Sequence, residues 1–447
     1  MRVLVVGKKE SGFAAQKLLN ANGFDVVLVD DCDGLSFNEK SDLLSSGLLF
    51  VVISPGVSLV SDWVRLAKKN NVEVIGELEL SFRYLKGTIC AITGTNGKTT
   101  TTTLLGELLK TMGKTFVGGN IGVAASNFAQ KTTKKDYIAL EVSSFQLESI
   151  KSFKPHIAAL LNITPDHLNR HKTMKNYIKT KFKIFKNMTK YDFAVINADS
   201  EVIMKNLSKI RANKFYFSTE NEVRGCYLKN DFIYFKDDNK TIPVCPKSSI
   251  RLVGEHNLSN ALAAILIFIL AGGDYNLVKG VLENFYGVSH RLEFVTSINS
   301  VKFYNDSKST NPDSTMVAIK SFSEPLILLL GGSDKGIDLL DLMRNLPKNV
   351  IKIIAFGQVN EKIMQAAKTV GLNNLIKANS VKDATLLAFN LASSGDVVLF
   401  SPGFASFDEF SNFEERGRFF VKVVKEIKDA TCAKNNTKKT NQPALKN

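Results

Sequence analysis

Three things are scarce in this chain of 447 residues, and each scarcity excludes a class of protein. Cysteine is the first: five are scattered at Cys32, Cys90, Cys226, Cys245 and Cys432, with no Cys-x-x-Cys pair. That count and spacing encode neither a disulfide scaffold nor a thiolate metal site, and they suit reduced thiols in a cytosolic protein. Long apolar runs are the second. The longest unbroken one, from Ala261 to Ala271, is well short of the ~20 residues a membrane span needs. The apolar start Met1–Gly7 is also too short for a secretory signal. Acidic residues are the third: 43 Asp and Glu face 58 Lys and Arg, a net charge of +15. Such an excess invites a nucleic-acid partner. No basic stripe with interleaved aromatics supports one, so a soluble, cytoplasmic protein with no membrane span and no nucleic acid is expected. The stretch from Thr431 carries only four of the lysines, so the charge is not an effect of the tail.

What remains is ordinary globular composition, 44% apolar and 23% charged, enough for two to four domains. Over residues 1–86, short β-branched runs (Val3–Val6, Asp25–Val29, Leu49–Ile53) alternate with helical segments such as Ser11–Asn20, which predicts a parallel sheet covered on both faces. Asp30 closes the second run, where nucleotide-binding folds place an acid against a ribose. The first turn, Gly7-Lys8-Lys9-Glu10-Ser11-Gly12, lacks the middle glycine of a dinucleotide site. A nucleotide held less closely and plain turn chemistry both stay open.

A second domain is predicted over residues 87–289. Strand Ile89–Ile92 leads into Gly94-Thr95-Asn96-Gly97-Lys98-Thr99-Thr100 and then a helix to about Met112. Amides of a glycine-rich turn and a helix N-terminus form an anion site, Lys98 can reach β- and γ-phosphates, and the Thr99 hydroxyl can ligate Mg²⁺. Ile92 stands where the strict phosphate-loop pattern has its first glycine. Further strands are expected at Tyr137–Val142, Ile157–Asn162 and Phe193–Asn197, with an antiparallel insertion over 213–250 and a closing helix Asn257–Ala271. Beside such a loop, Glu141 and His167, each just past a strand, are candidate metal ligands, although either alone is more often a satisfied polar group. Asn257 could equally be cap chemistry for its helix.

A third α/β unit is predicted over 290–430, with strands Leu326–Leu330, Ile351–Phe356 and Val397–Phe400. Arg291 opens it at a natural hinge. Its polar segments, Asn305–Pro312, Gly331–Gly336 and Ser401–Ser406, fit either surface turns or a cleft for an anionic substrate. Residues 431–447 offer almost nothing to bury and are expected to form a disordered basic tail.

GTNGKTT, EVSSFQLE, NITPDHLNRH, GEHNLSNALAA, HRLE, NDSKSTNP and SPGFASFDEF occur in that order. They resemble the Mur ligases, over roughly residues 1–428. The resemblance implies three α/β domains: a Rossmann-like N-terminal domain that binds a UDP-substrate, a central P-loop ATPase-type domain with a parallel sheet, and a Rossmann-like C-terminal domain that binds an amino acid. It implies an ATP-dependent amide-bond ligase of peptidoglycan precursor synthesis. SSFQLE and GGSDKG point, within the family, to the step that joins D-glutamate to UDP-N-acetylmuramoyl-L-alanine. Sister ligases and folylpolyglutamate-type enzymes are the alternatives, and the latter lack a comparable first domain.

By the same resemblance, Lys98 stabilises the ATP phosphates held by Gly94 to Thr100. Thr99 and Glu141 hold one Mg²⁺ and His167 a second. Lys181, flanked by Lys179 and Lys183, matches a lysine carried as a carbamate. Asn257 and Asn260 lie on the adenine side, and Arg291 and Asp306 meet the nucleotide from the third domain. Asn120 contacts the muramoyl substrate. Thr310, Lys335, Ser406 and Phe413 surround D-glutamate, with Lys308 in the same stretch. Asp30 and the turn Ser54-Pro55-Gly56-Val57 lie near the uridine diphosphate. A monomer is expected. Two departures stand out: Lys8 and Lys9 replace small residues, and Phe404 replaces a small residue or cysteine where it could reshape the amino-acid pocket.

Overall fold

A computed structural model of the chain describes residues 1–45, 47–334 and 339–440, with side chains to 433. Three sheets organise it. The first is fully parallel, with β1 (Arg2–Val6), β2 (Asp25–Val29), β3 (Phe50–Ile53) and β4 (Glu73–Gly76) in the order β2-β1-β3-β4. Its central strands are buried on both faces, which is why they read as unbroken β-branched runs. Val3, Val5 and Val52 pack against Ala15, Leu18 and Leu19 on one side, while Leu4, Val6 and Val51 pack against Trp63 and Val64 on the other. The alternation is the two-residue period of a strand. Strand β4 is only four residues long and begins with an acid, so it left no comparable run.

The second sheet has nine strands: β5 (Thr88–Thr93), β6 (Thr115–Gly119), β7 (Tyr137–Glu141), β8 (Ile157–Leu160), β9 (Phe193–Asn197), β10 (Asn213–Ser218), β11 (Gly225–Lys229), β12 (Phe232–Lys236) and β13 (Thr241–Pro246). Their order is β13-β12-β11-β10-β9-β8-β5-β7-β6. The insertion over 213–250 differs from expectation. β10 runs parallel to β9 and β11 parallel to β10, and only the β11–β12 and β12–β13 pairs are antiparallel. The short β12 hairpin carried the antiparallel signal, whereas the β10–β11 pairing depends on a connection whose direction pattern alone does not show.

The third sheet joins β14 (Glu293–Ile298), β15 (Val301–Asn305), β16 (Leu326–Gly331), β17 (Val350–Phe356), β18 (Leu375–Lys377) and β19 (Val397–Gly403) in the order β14-β15-β19-β16-β17-β18. All pairs are parallel except the β14–β15 hairpin. The last helix, Phe413–Thr440, continues into the segment expected to be disordered. No glycine or proline follows Gly417 within it, so nothing local stops the helix. Residues 441–447 lie outside the described residues.

The chain divides into two compact units, Met1–Ile250 with His256–Phe285, and Arg251–Glu255 with the residues from Tyr286 onward. The first sheet therefore belongs to one unit with the second, and the helix Glu77–Phe82 explains why. It carries two buried carboxylates across the join. Glu77 accepts from Ser81 Oγ at 2.9 Å and the Ser126 amide at 2.8 Å. Glu79 accepts from the amides of Lys151, Ser152 and Phe153, each at 2.9 Å. Buried carboxylates survive only with such partners, so these bonds fix one region on the other. Among the described residues, no helix is long and apolar enough to cross a membrane.

Candidate active site

Parallel strands bring their carboxyl ends to one edge, and the loops that leave β5, β6, β7 and β8 meet there. β5 runs through Thr93 into Gly94–Gly97 and then the helix Lys98–Lys110. Gly97 must be glycine for two reasons: its φ is +79°, and a Cβ there would lie 2.1 Å from Asn260 Oδ1. Asn260 Nδ2 in turn donates to Asn257 Oδ1 at 3.0 Å, and both asparagines are buried. Asn257 sits inside the helix Glu255–Leu270 instead of capping it.

The loop is held from two sides. The Asn96 amide donates to Asn162 Oδ1 at 2.8 Å, and Asn162 Nδ2 returns a bond to the Asn96 carbonyl at 3.1 Å. Thr95 Oγ1 accepts from the Thr164 amide at 3.1 Å and lies 3.1 Å from the Tyr177 hydroxyl. Lys98 Nζ donates to the Gly94 carbonyl at 3.0 Å and the Thr95 carbonyl at 2.7 Å. Thr100 is buried behind it.

Lys181 donates to the same Gly94 carbonyl at 2.7 Å and sits 4.8 Å above the Tyr177 ring. It is 2% exposed, and burial, reinforced by the charge of Lys98, lowers its pKa to about 7. The helix Met174–Phe182 and the turn Lys183–Phe185 that follows it separate the three lysines that spacing alone left equivalent. Positions two apart point to opposite faces of a helix. Lys179 is exposed, and Lys183 turns to the Glu148 carbonyl at 3.1 Å.

Glu141, at the end of β7, is nearly fully buried and receives Thr99 Oγ1 on Oε2 at 2.8 Å and Asn120 Nδ2 on Oε1 at 2.8 Å. A hydroxyl and one carboxylate fit Mg²⁺, which uses one or two carboxylates with phosphate oxygens and water. His167 is different. It is exposed, in a left-handed conformation with φ +52°, its Nε2 3.3 Å from Asp166 Oδ2 and its ring 4.9 Å from Phe145. Among the described residues no three His, Cys, Asp or Glu side chains converge on a metal site.

In the first sheet, a Cβ on Gly7 would lie 2.5 Å from Ser54 Oγ, so the turns after β1 and β3 touch. Ser54 is buried, while Pro55 and Gly56 lie further out. Asp30 accepts from the Lys8 amide at 2.6 Å and the Cys32 amide at 3.3 Å, and the Lys8 bond above all holds its carboxyl below the usual value. Lys8 Nζ binds Asp33 at 2.5 Å. The unusual lysine is thus engaged by acids of the next turn.

The other unit repeats the logic. β15, β19 and β16 are neighbours, and β19 runs on through Ser401 to Gly403, beyond the expected end at Phe400, so the segments after Asn305, Gly403 and Gly331 share an edge. Asp306 accepts from Ser401 Oγ at 2.8 Å and the Leu292 amide at 3.2 Å, and burial raises its pKa to about 6. Arg291 has a buried Nε without a hydrogen-bond partner. Lys308 is exposed above the Phe413 ring at 5.6 Å, Thr310 is half-buried, and Ser406 is buried. Lys335 lies outside the described residues. Phe404 is fully buried, in one core cluster with Leu328, Leu330 and Ala355.

Spacing gave no sign of four residues that hold these loops: Tyr177, Phe145, Arg170 and Arg416. Arg416 is 1% exposed and donates to Ser307 Oγ at 3.1 Å and to the carbonyls of Ser307, Ala405 and Phe404, each at 3.0 Å. Its place three residues after Phe413 was the only available hint.

A phosphate-type loop with a lysine and a hydroxyl–carboxylate pair, on the carboxyl edge of a parallel sheet, defines a P-loop α/β nucleotide-binding protein. Residues 92–268 match the Mur ligase middle domain, and residues 290–404 the Mur ligase glutamate ligase domain. The chain is 39% identical to the UDP-N-acetylmuramoylalanine–D-glutamate ligase of Lachnoclostridium phytofermentans, over 96% of this chain and 98% of that protein. It is 41% identical to the protein of the same name from Caldicellulosiruptor bescii, over 95% and 97%. The chain belongs to the Mur ligase family. In fold it is similar to the UDP-N-acetylmuramate–alanine ligase of Thermotoga maritima, with a TM-score of 0.59 at 18% identity over 96% of this chain and 100% of that one.

Proposed function

We propose that this chain is the ATP-dependent ligase that joins D-glutamate to UDP-N-acetylmuramoyl-L-alanine in peptidoglycan precursor synthesis, acting in the cytoplasm as a monomer. The observation that carries the reading is the Thr99–Glu141 pair beside Lys98, in a chain 39% and 41% identical to ligases of that name along nearly its whole length. An alanyl carboxylate oxygen attacks the γ-phosphorus of ATP, and ADP leaves. The amine of D-glutamate attacks the resulting acyl phosphate, loses a proton, and phosphate leaves as the amide forms. The protein's work is positioning and charge neutralisation.

In this reading Gly94 to Thr100 cradle the phosphates, Lys98 leaves its loop carbonyls for them, and Asn257 and Asn260 support the adenine side. Thr99 and Glu141 hold one Mg²⁺, and His167 with Lys181 hold a second. Mg²⁺ would neutralise the phosphate charge. Lys181 supports that role through its burial, because a primary amine adds CO₂ only in its neutral form. Residues 1–86, through Asp30, Ser54, Pro55 and Gly56 and with Asn120, take the sugar nucleotide. Residues 290–430 take D-glutamate at Lys308, Thr310, Lys335, Ser406 and Phe413, while Arg291 and Asp306 meet the nucleotide.

The test is phosphate release from purified protein with ATP, Mg²⁺ and UDP-N-acetylmuramoyl-L-alanine, offering D-glutamate, L-glutamate, L-lysine, meso-diaminopimelate or folate in turn. Turnover is expected with D-glutamate alone, and turnover with any other overturns the substrate assignment.

A further inference from the structure

One cation that the nucleotide chemistry leaves unused joins the first sheet to the segment that carries His167. Arg170 lies in the short helix Leu168–His171 and is largely buried. Its Nε and Nη2 donate to Glu148 Oε2 at 3.2 and 2.7 Å. Nη1 donates to the Gly56 carbonyl at 3.2 Å, and Nη2 also to the Val57 carbonyl at 3.0 Å. The guanidinium lies 4.8 Å from the Phe145 ring, whose other close partner is the His167 ring at 4.9 Å. Glu148 is anchored in turn, 3.5 Å from His171 Nδ1, and His171 Nε2 meets Ser144 Oγ at 3.0 Å.

The two carbonyls belong to the turn after β3. The Val57 N–H is spent on the Ser54 carbonyl at 3.0 Å, and because a peptide is planar, turning the Val57 carbonyl toward Arg170 turns the Ser58 N–H the opposite way. That is the polarity an anionic diphosphate requires of the turn. Only a planar fork with several donors can serve a carboxylate, two carbonyls and a ring face together, and a lysine supplies one compact charge.

We propose that Arg170 is a positioning residue for the sugar nucleotide: it sets the Ser54–Val57 turn and the Phe145–His167 pair as one body, so that the turn binds substrate in register with the reacting end. This rests on the function proposed above. A purely structural arginine would weaken every ligand together or none.

The test compares Arg170→Lys, Arg170→Gln and wild type as full-length chains, by calorimetric titration with UDP-N-acetylmuramoyl-L-alanine and, separately, with ADP. Loss of charge-assisted bonds predicts a fall in sugar-nucleotide affinity of about tenfold or more in both variants. ADP affinity is expected to stay within about twofold. Glu148→Gln, which removes the anchor and keeps its shape, is expected to weaken the same affinity, and adding it to Arg170→Gln is expected to cost little more, because the two act as one network. Unchanged sugar-nucleotide affinity in both Arg170 variants, or an equal fall for ADP, overturns the proposal. A wild-type chain that binds this sugar nucleotide but turns over with another amino acid overturns the amino-acid assignment and leaves the Arg170 comparison standing. A wild-type chain that does not bind it at all overturns both.

Discussion

Lys181 Nζ and Lys98 Nζ donate to one oxygen, the carbonyl of Gly94, at 2.7 and 3.0 Å. Burial, reinforced by the neighbouring charge of Lys98, lowers the pKa of Lys181 to about 7. Near neutrality a large share of it is the uncharged amine, the form that can become a carbamate and present oxygen to a metal.

Replacing Lys181 by alanine is expected to reduce turnover by about a hundredfold or more. A small carboxylate such as acetate is expected to restore part of it by occupying the vacated space. Lys179→Ala, on the exposed face of the same helix, is expected to stay within about twofold of wild type. Phosphate release with and without acetate checks all three, and normal activity in unsupplemented Lys181→Ala removes the carbamate role.

Gly97→Ala places a Cβ 2.1 Å from Asn260 Oδ1 in a backbone conformation with φ +79°. The left-handed geometry alone costs about 1–2 kcal/mol, and the clash displaces Asn260. Lower thermal stability and weaker ADP binding are expected together. Gly280→Ala is the counterpart, since it lies in the helix Val278–Asn284 with nothing within 4 Å of the new Cβ. It is expected to gain about 0.5–1 kcal/mol, read as a higher urea midpoint.

Arg416→Ala leaves the buried carbonyls of Ser307 and Phe404 without this donor, and leaves that of Ala405 with the Ser333 amide at 2.9 Å. A loss of about 3 kcal/mol is expected from urea denaturation. Arg416→Lys keeps a charge but not the fork. It is expected to fold and to raise the KM for D-glutamate more than that for ATP, because the Ser401–Ser406 loop loosens. Equal changes in both KM values would argue against that role.

Glu79 supplies a pH test. Burial pushes its carboxyl up, but bonds from Ser152 and the amides of Lys151, Ser152 and Phe153 outweigh this and hold it below the usual value. A depressed folded-state pKa contributes stability above the ordinary glutamate pKa of about 4.3, and that stability is lost as pH falls through the lower folded value. Glu79→Gln is therefore expected to melt below wild type at pH 7, with the gap narrowing in acid. A constant gap from pH 7 to pH 3 would contradict this.

Much of the fold was legible wherever burial is two-sided. Val3–Val6, Phe193–Asn197 and Leu326–Leu330 are strands because continuous apolar runs between turns have no other stable use in a covered parallel sheet. β4, β6 and β18 were not legible, since short strands at or near an edge bury too little to leave a pattern. The glycine loop was legible because its backbone restricts residue type, as Gly97 shows with its φ of +79° and Asn260 packed against it. The residues that hold the various loops were not: Tyr177 reaches Thr95, Arg170 the turn after β3, and Arg416 the Ser307 segment, all far away in sequence.

The sequence by itself determined the alternation of strands and helices, the loop from Gly94 to Thr100, and the order of polar segments at strand ends, because each is local chemistry along the chain. Only the tertiary structure decided which of three lysines is buried, that Phe404 belongs to the core, and that residues 1–86 form one compact unit with the second sheet. Those outcomes depend on helix phase and on buried carboxylates meeting distant amides, and long-range contacts of that kind leave no mark on local spacing.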